Sequence, residues 1–159
     1  MIRALCLALA ASGPAFADDP ARVITLGGSV TEIAVALGAE GRLVARDTTS
    51  NWPESVGALP DVGYIRALSP ENVLALDPDL IVAEGDAGPP EAVDVLKAAG
   101  IPFVLVPEAT DPAGIVAKVE AVGQALSLPA EGDALAAELQ GKLDAAEARA
   151  TTVTAPKRV

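Results

Sequence analysis

Tyr64 and Arg66 are the two residues of this chain whose types and spacing offer the most specific chemistry. The 159-residue sequence contains no histidine, one cysteine, one methionine and one tyrosine. A phenolate oxygen is a hard anionic donor that can ligate ferric iron, although its ordinary pKa near ~10 means that binding must displace a proton. A neighbouring guanidinium favours the charged phenol. The sequence therefore predicts an iron ligand at Tyr64 supported by Arg66, and the alternative is a half-buried loop tyrosine.

The spacing of this pair also matters. In an extended segment, residues i and i+2 point to the same side, so Tyr64 and Arg66 are expected to face one ligand. They follow a long irregular segment at 46–63, and long loops in compact domains are often functional. For Trp52, within that segment, we expect a loop anchor with a partly buried ring rather than a ring that stacks on a ligand.

Strands and helices alternate along the chain, and this order must position the pair. Apolar, β-branched runs predict strands at 22–26, 43–45, 79–83 and 103–106, each followed by a helical pattern except the second, which opens the long segment. The alternation predicts an α/β fold with a mostly parallel sheet flanked by helices. A last helix at 131–150 would be about 30 Å long, enough to reach a second domain.

The same fold class predicts where a ligand would bind. Ligands of parallel sheets lie outside the carboxyl ends of the strands, which places four loops on one rim. These rim loops are Gly27, Gly28 and Ser29, then 46–64, then the loop from Glu84 to Pro90, and finally 107–111.

The turn at Gly27 and Gly28 also suggests phosphate binding at a helix N-terminus. The pattern is too weak for that function, because neither the three-glycine dinucleotide fingerprint nor a P-loop is present. Ser29 and Glu32 have the spacing of a capping box, so Ser29 and Thr31 are expected to act first as helix caps.

A small α/β enzyme is a less favoured alternative. Its base would be Asp47 or Glu84, with Asp61 and Asp86 as further carboxylates on the predicted rim. Carboxylates in exposed loops are usually only solvated. The lack of histidine and of a usable thiol also argues against zinc or manganese sites, which lean on those ligands.

The ends of the chain predict export and a second domain. Residues 1–17 contain Arg3, an apolar run and a small-residue close, the layout of a cleaved secretory signal peptide. We expect an N-terminal α/β lobe at 18–129. The interval 130–159 is expected to hold an interlobe helix and the start of a truncated second lobe, as in the front half of a longer protein.

Composition excludes some classes of partner. The net charge of −11, with acids spread along the chain, argues against nucleic acid and against an anionic membrane surface. After cleavage at residue 17, no apolar run is long enough for membrane insertion.

Four segments resemble a known family: Thr25–Glu32 (TLGGSVTE), Ala45–Ser50 (ARDTTS), Pro60–Glu71 (PDVGYIRALSPE) and Pro78–Glu84 (PDLIVAE). Together they look like the N-terminal lobe of the periplasmic haem-binding proteins of bacterial ABC importers. The likeness covers 22–158, and Gly63-Tyr64-Ile65-Arg66 is its most specific part. The resemblance implies two α/β lobes joined by one long helix, with export to the periplasm.

The resemblance also implies roles for single residues. Tyr64 would be the axial ligand of ferric haem, and Arg66 would hold a haem propionate or stabilise the tyrosinate. We further expect Arg46, on the same predicted rim, to meet a propionate together with Arg66. Glu91, near the start of a helix, would dock on the inner-membrane ABC permease. Such a protein carries haem as its ligand and is not an enzyme. Ferric-siderophore and cobalamin carriers share the scaffold and remain alternatives.

Overall fold

The computed structural model describes residues 20–152, in which four strands alternate with α-helices. The strands are β1 (Val23–Leu26), β2 (Leu43–Arg46), β3 (Leu80–Glu84) and β4 (Phe103–Val106). The helices are α1 (Gly28–Ala36), α2 (Pro70–Leu74), α3 (Pro90–Ala98), α4 (Pro112–Ala125) and α5 (Pro129–Ala150). The predicted signal segment at 1–17 and the expected start of a second lobe lie outside the described residues.

All pairs in the sheet are parallel, in the order β2-β1-β3-β4. Each strand is reached by a crossover, which is the arrangement that alternating strands and helices produce. The predicted α/β fold with a parallel sheet flanked by helices is confirmed.

The two faces of the sheet are covered by different helices, because side chains alternate across a strand. Val23, Leu80 and Val82 face one buried cluster with residues of α1 and α4. Their neighbours Ile24 and Ile81 face a second cluster with residues of α2 and α3. The central strands β1 and β3 are therefore buried on both sides, so a ligand is expected at the ends of the strands rather than on a face of the sheet.

Two of the helices, α2 and α4, begin at side-chain caps and end shortly before residues with left-handed backbones. The Ser69 hydroxyl accepts from the Asn72 amide ahead of α2, and the Asp111 carboxylate accepts from the Gly114 amide at 2.7 Å ahead of α4. α2 ends at Leu74 and α4 ends at Ala125. Asp77 (φ 46°) and Ser127 (φ 59°), close beyond these ends, have left-handed backbones that no helix can include.

Helix α5 packs on α4 only along its first half. The backbones are closest where Gly123 meets Gly132, because a Cβ on Gly123 would lie 2.8 Å from the Gly132 Cα. Residues 144–150 are all exposed. The division into 18–129 and 130–159 stays a prediction. Between residues 20 and 152, no helix is long and apolar enough to cross a membrane.

A buried polar cluster lies at the carboxyl ends of β1 and β2. Its centre is the Asp47 carboxylate, which is fully buried together with Thr25, Thr31 and Ser50. Asp47 accepts from the Gly27 amide at 2.9 Å and from the Ser50 hydroxyl at 2.6 Å. Its other oxygen accepts from the Thr49 amide and hydroxyl at 3.0 and 2.7 Å.

These hydrogen bonds decide the protonation of Asp47. Burial alone would raise the pKa of its carboxyl group, but the hydrogen bonds from Ser50, Thr49 and Gly27 outweigh it and hold the pKa below the ordinary 3.8. Asp47 is therefore a charged, saturated acceptor at neutral pH.

Gly123→Ala should lower the free energy of unfolding by about 1–3 kcal/mol, because the added methyl group forces α4 and α5 apart. Urea denaturation followed by circular dichroism measures this. Gly141→Ala is the matched control, since a Cβ there meets nothing within 4 Å. In the exposed interior of α5 it should instead add about 0.5–1 kcal/mol. Equal effects of the two substitutions would contradict the close packing at Gly123.

Asp47→Asn should cost about 1–3 kcal/mol of unfolding free energy at pH 7, because an amide nitrogen would face donors that now bond to the carboxylate. A folded-state pKa below 3.8 means that the charge stabilises the fold above that pH and loses this effect as pH falls through the folded pKa. The penalty should therefore shrink below about pH 4.

Urea titrations of both proteins from pH 7 to pH 2.5 measure the penalty. Asp133→Asn, an exposed position on α5, controls for the loss of one charge. A penalty that does not change with pH would show that the Asp47 charge is unimportant.

Candidate functional site

The carboxyl ends of the four strands open on one edge of the sheet, and the predicted rim loops follow them there. At this edge Gly27 adopts φ +108°. A Cβ on Gly27 would lie 2.5 Å from the Glu84 Cγ, so the turn after β1 and the end of β3 approach too closely for a side chain. A Cβ on Gly28 would lie 3.3 Å from the Thr49 carbonyl oxygen. The two glycines therefore bring three rim segments together.

Tyr64 points outward from this edge. Its side chain is 45% exposed, whereas the next residue, Ile65, is buried in the core. Gly63 has φ +105°, which turns the chain, and the Tyr64 carbonyl accepts from the Ala67 amide at 2.8 Å. Ile65–Ala67 forms a 3₁₀ turn. Tyr64 is thus an exposed phenol on a short, internally bonded turn anchored by Ile65.

Arg66 lies beside Tyr64, but not for the reason that the sequence suggested. The segment is extended only at Tyr64, and the 3₁₀ turn rather than an i, i+2 alternation sets the direction of Arg66. The Arg66 Nε and Nη2 both donate to Asp86 Oδ2, at 2.8 Å for Nε. The hydrogen bond that Arg66 donates to Asp86, and next the charge interaction with Tyr64, raise the pKa of the Arg66 guanidinium. The structure therefore brings Tyr64, Arg66 and Asp86 together.

Backbone hydrogen bonds hold the Tyr64 turn on both sides. The Gly88 amide donates to the Ile65 carbonyl at 2.9 Å, and the Leu68 amide donates to the Gly88 carbonyl at 2.8 Å. On the other side, the Thr48 amide donates to the Gly63 carbonyl at 3.0 Å. The turn is thus connected to the loop after β3 and, through Thr48, to the Asp47 cluster.

Arg46 lies within the same rim but is largely engaged by the long loop. Its side chain is only 13% exposed. Nε donates to the Val56 carbonyl at 3.2 Å and Nη1 to the Asp47 carbonyl at 3.0 Å. Nη1 also lies 3.4 Å from Asp61 Oδ2. In this structure Arg46 mainly holds the long loop after β2. Its contact with a ligand stays a prediction.

Ser29 does not form the expected capping box, and this expectation is wrong. α1 already begins at Gly28 after Gly27, without a side-chain cap, so Ser29 lies inside the first turn. Its hydroxyl donates to Glu84 Oε1 and accepts from Lys118 Nζ at 3.0 Å. Lys118 also lies 3.6 Å from Glu84. Ser29 therefore joins α1, β3 and α4.

Thr31 is likewise not a cap. It is buried, and its Oγ1 lies 2.8 Å from Thr25 Oγ1 and 2.7 Å from Ser50 Oγ. Its role is to extend the Asp47 cluster into α1.

A polar cavity of about 230 Å³ opens beside this network, lined by Glu84, Asp86, Glu108, Ala109 and Lys118. Asp86 Oδ1 is buried without a hydrogen-bond partner in residues 20–152. In the described part of the chain, no three His, Cys, Asp or Glu side chains are grouped to hold a metal ion.

Sequence reasoning did not identify the contacts of Lys118 with Ser29 and Glu84. It considered Asp86 only as a carboxylate in a loop and not as a partner of Arg66. Lys118 falls three residues after Ile115 and four before Val122, within the apolar stripe of α4. A charge in that stripe was an available signal. For Asp86, only the three-dimensional approach of its loop to Arg66 reveals a partner.

Two other predicted residues are exposed. Trp52 is 66% exposed, so its expected role as a partly buried loop anchor is wrong. Val56, four residues later, is the apolar anchor of this loop instead. Glu91 is exposed in the first turn of α3.

Comparison with known proteins places the chain in a family. The family model described as periplasmic binding protein matches residues 23–159. The vitamin B12-binding protein of Vibrio campbellii is 32% identical over 155 residues, which are 96% of this chain and 56% of that protein. The chain thus spans about half the length of such curated relatives.

The chain likewise spans about half the length of solved structures that resemble it. The apo form of the periplasmic haem-binding protein RhuT from Roseiflexus sp. RS-1 has a TM-score of 0.80 and 36% identity, over 85% of this chain and 52% of that one. The haem-binding protein BhuT, solved with two haems, has a TM-score of 0.77 and 41% identity, over 83% of this chain and 51% of that one. The chain belongs to the periplasmic binding protein family.

Proposed function

We propose that the full-length protein is the periplasmic component of a haem ABC importer, which captures ferric haem and delivers it to the inner-membrane permease. The observation that carries this proposal is the half-exposed Tyr64 phenol at the ligand edge of the sheet, with the Arg66 guanidinium beside it. A carrier of this kind makes and breaks no bond in its ligand, so the proposal assigns no catalytic residue.

Tyr64 would hold the haem iron through its phenolate oxygen. The phenol must lose its proton on binding, and a cation at its side stabilises the resulting charge. Arg66 supplies that cation without leaving its place, because Asp86 already holds it there. The iron ligand would therefore be prepared before haem arrives.

The guanidinium groups would also meet the haem propionates. Arg66 is 62% exposed on its side chain, and a guanidinium carries five N–H donors, so two bonds to Asp86 leave others for a carboxylate. Arg46 would contribute mostly through its positive charge, because the loop engages most of its donors.

The rest of the rim would support the ligand from below. Gly27 and Gly28 allow the turn after β1 to lie close to Glu84 and Thr49, and Ser29 and Glu84 are hydrogen-bonded to each other beside them. Glu84 would keep to this structural role, since Ser29 and Lys118 both contact it.

A cobalamin carrier is the second candidate, and the Vibrio campbellii relative favours it. A ferric-siderophore carrier on the same scaffold is a third. Haem is preferred because a phenol with a neighbouring cation suits ferric iron, and because RhuT and BhuT, both haem-binding by name, resemble this chain at 36% and 41% identity.

Glu91 would dock on the permease. It is exposed on the helix that follows the rim loop after β3, so it lies on the same side of the lobe as the site. An acid in a first helical turn is also expected from the helix dipole alone, and only transport measurements separate these two roles.

Tyr64→Phe should weaken ferric haem binding by more than about 100-fold, the upper end of the loss seen when only an outer partner of a metal ligand is removed. Titration of the full-length protein, followed by haem absorbance, measures affinity. The tyrosinate-to-iron charge-transfer band should vanish in the variant.

Val95→Ala is the control for non-specific adsorption of haem, because Val95 is an exposed apolar residue on α3. Cobalamin and a ferric siderophore, titrated in parallel, test the other two candidates. An unchanged affinity and spectrum in Tyr64→Phe, or tighter binding of cobalamin than of haem, would overturn the proposal.

Glu91→Lys should reduce haem uptake through the reconstituted permease while leaving haem affinity unchanged, because it reverses a charge at the docking surface only. Glu120→Lys, at an exposed position on α4, makes the same charge change elsewhere. Equal uptake by both variants would remove Glu91 from the interface.

A further inference from the structure

We infer that Asp86 is a positioning residue for the haem site, whose carboxylate fixes the Arg66 guanidinium against the Tyr64 phenol before the ligand binds. This inference deepens the proposed function and rests on it.

The geometry of the pair carries the argument. Two nitrogens of Arg66, Nε and Nη2, converge on the single oxygen Oδ2 of Asp86. Contacts from both nitrogens fix the plane of the guanidinium as well as its distance. Nη1 is not among the nitrogens that contact Asp86, so this edge of the group is left for Tyr64, the residue directly before the 3₁₀ turn that carries Arg66.

The loop after β3 makes Asp86 a firm support. The Ala87 amide donates to the Glu84 carbonyl at 3.1 Å, which closes a turn around Asp86. The Gly88 amide then donates to the Ile65 carbonyl at 2.9 Å. The loop that carries Asp86 is thus bonded to the turn that carries Arg66, so the two side chains meet from connected backbones.

The exposure of the pair shows what the interaction does. The side chains of Arg66 and Asp86 are 62% and 29% exposed, and ion pairs this close to solvent contribute little to stability. A free arginine side chain would sample many rotamers. The main effect of Asp86 therefore falls on the orientation of Arg66, and through it on the ligand.

Asp86 also brings a negative charge, and its two effects on haem oppose each other. Its hydrogen bonds orient Arg66 towards the phenolate, whereas its charge offsets part of the positive field at Tyr64. Glu84 and Glu108 line the same cavity and contribute further negative charge, whereas Lys118, also in its lining, contributes a positive charge. Substitutions that separate acceptor from charge therefore decide between the two effects.

The experiment compares Asp86→Ala, which removes both acceptor and charge, with Asp86→Asn, which keeps an acceptor oxygen. In the apoprotein, the Arg66 Nε–Hε signal in proton–nitrogen NMR spectra should be protected from exchange in the wild type and in Asp86→Asn, and lost in Asp86→Ala. This readout needs no haem, and retention of the protected signal in Asp86→Ala would overturn the inference.

With haem, Asp86→Ala should release the ligand about 10-fold faster, as expected when a group that orients a metal-ligand partner is lost. The charge-transfer band should shift in Asp86→Ala and stay in place in Asp86→Asn. In an Arg66→Ala background, Asp86→Ala should have no further effect, because it acts through Arg66. Faster release that persists in that background would assign Asp86 a direct or merely structural role and overturn the inference.

Asp94→Ala, at an exposed position on α3, controls for the change in net charge and should alter neither readout. Tighter haem binding in both Asp86 variants would mean that charge dominates over orientation, which also overturns the inference. Failure of the proposed function is separate, since Tyr64→Phe would then leave haem binding unchanged while the Arg66 signal in the apoprotein still responds to Asp86.

Discussion

The buried carboxylate of Asp47 is the constraint on which the rim depends. A charged carboxylate without partners would be very costly inside a protein, so the segments around it must present donors. They do so from the turn after β1 and from the loop after β2. The consequence reaches Tyr64, because the Thr48 amide, next in the chain, holds the carbonyl of Gly63. The turn that carries the phenol is therefore connected, through Thr48, to a fully buried charge.

The second carboxylate of the site works in the opposite environment. Asp47 is fully buried and its oxygens are saturated by four donors, whereas Asp86 is partly exposed and binds one guanidinium through one oxygen. Burial makes the Asp47 interactions costly to break, which suits a structural core. Partial exposure leaves the Arg66 pair weak in stability but specific in direction, which suits a group that must face a ligand. Asp47 therefore stabilises the structure of the rim, whereas Asp86 orients the Arg66 side chain.

The order of strands and helices was predictable because strands that are buried on both faces consist of short apolar runs. Ser69 and Asp111 in addition mark the starts of helices. The placement of Tyr64 at the carboxyl edge followed from that order alone. What the sequence did not reveal were contacts between distant loops. Ser29 had the spacing of a cap, but Glu84 and Lys118 compete for its hydroxyl, and neither is near it in the chain.

The same reason explains two other differences. An i, i+2 rule placed Tyr64 and Arg66 on one side, and they do lie together, but a 3₁₀ turn held by Gly88 brings them there. Trp52 looked like the anchor of its loop because large aromatic rings are usually buried. Val56 packs in the core in its place.

The hydrogen-bonded rim loops form one connected surface, or wall, at the carboxyl edge of the sheet. Binding sites for ligands of this size enclose most of the ligand surface, and a single edge of a sheet covers one side. What such a wall can contribute is preorganisation, because a ligand group that is already oriented loses little freedom on binding. The Asp47 cluster fixes the loop, Gly63 and Ile65 fix the turn, and Asp86 fixes the cation beside the phenol. In the proposed carrier, the selectivity of this wall would therefore come from the fixed pair of phenol and guanidinium rather than from the area that it covers.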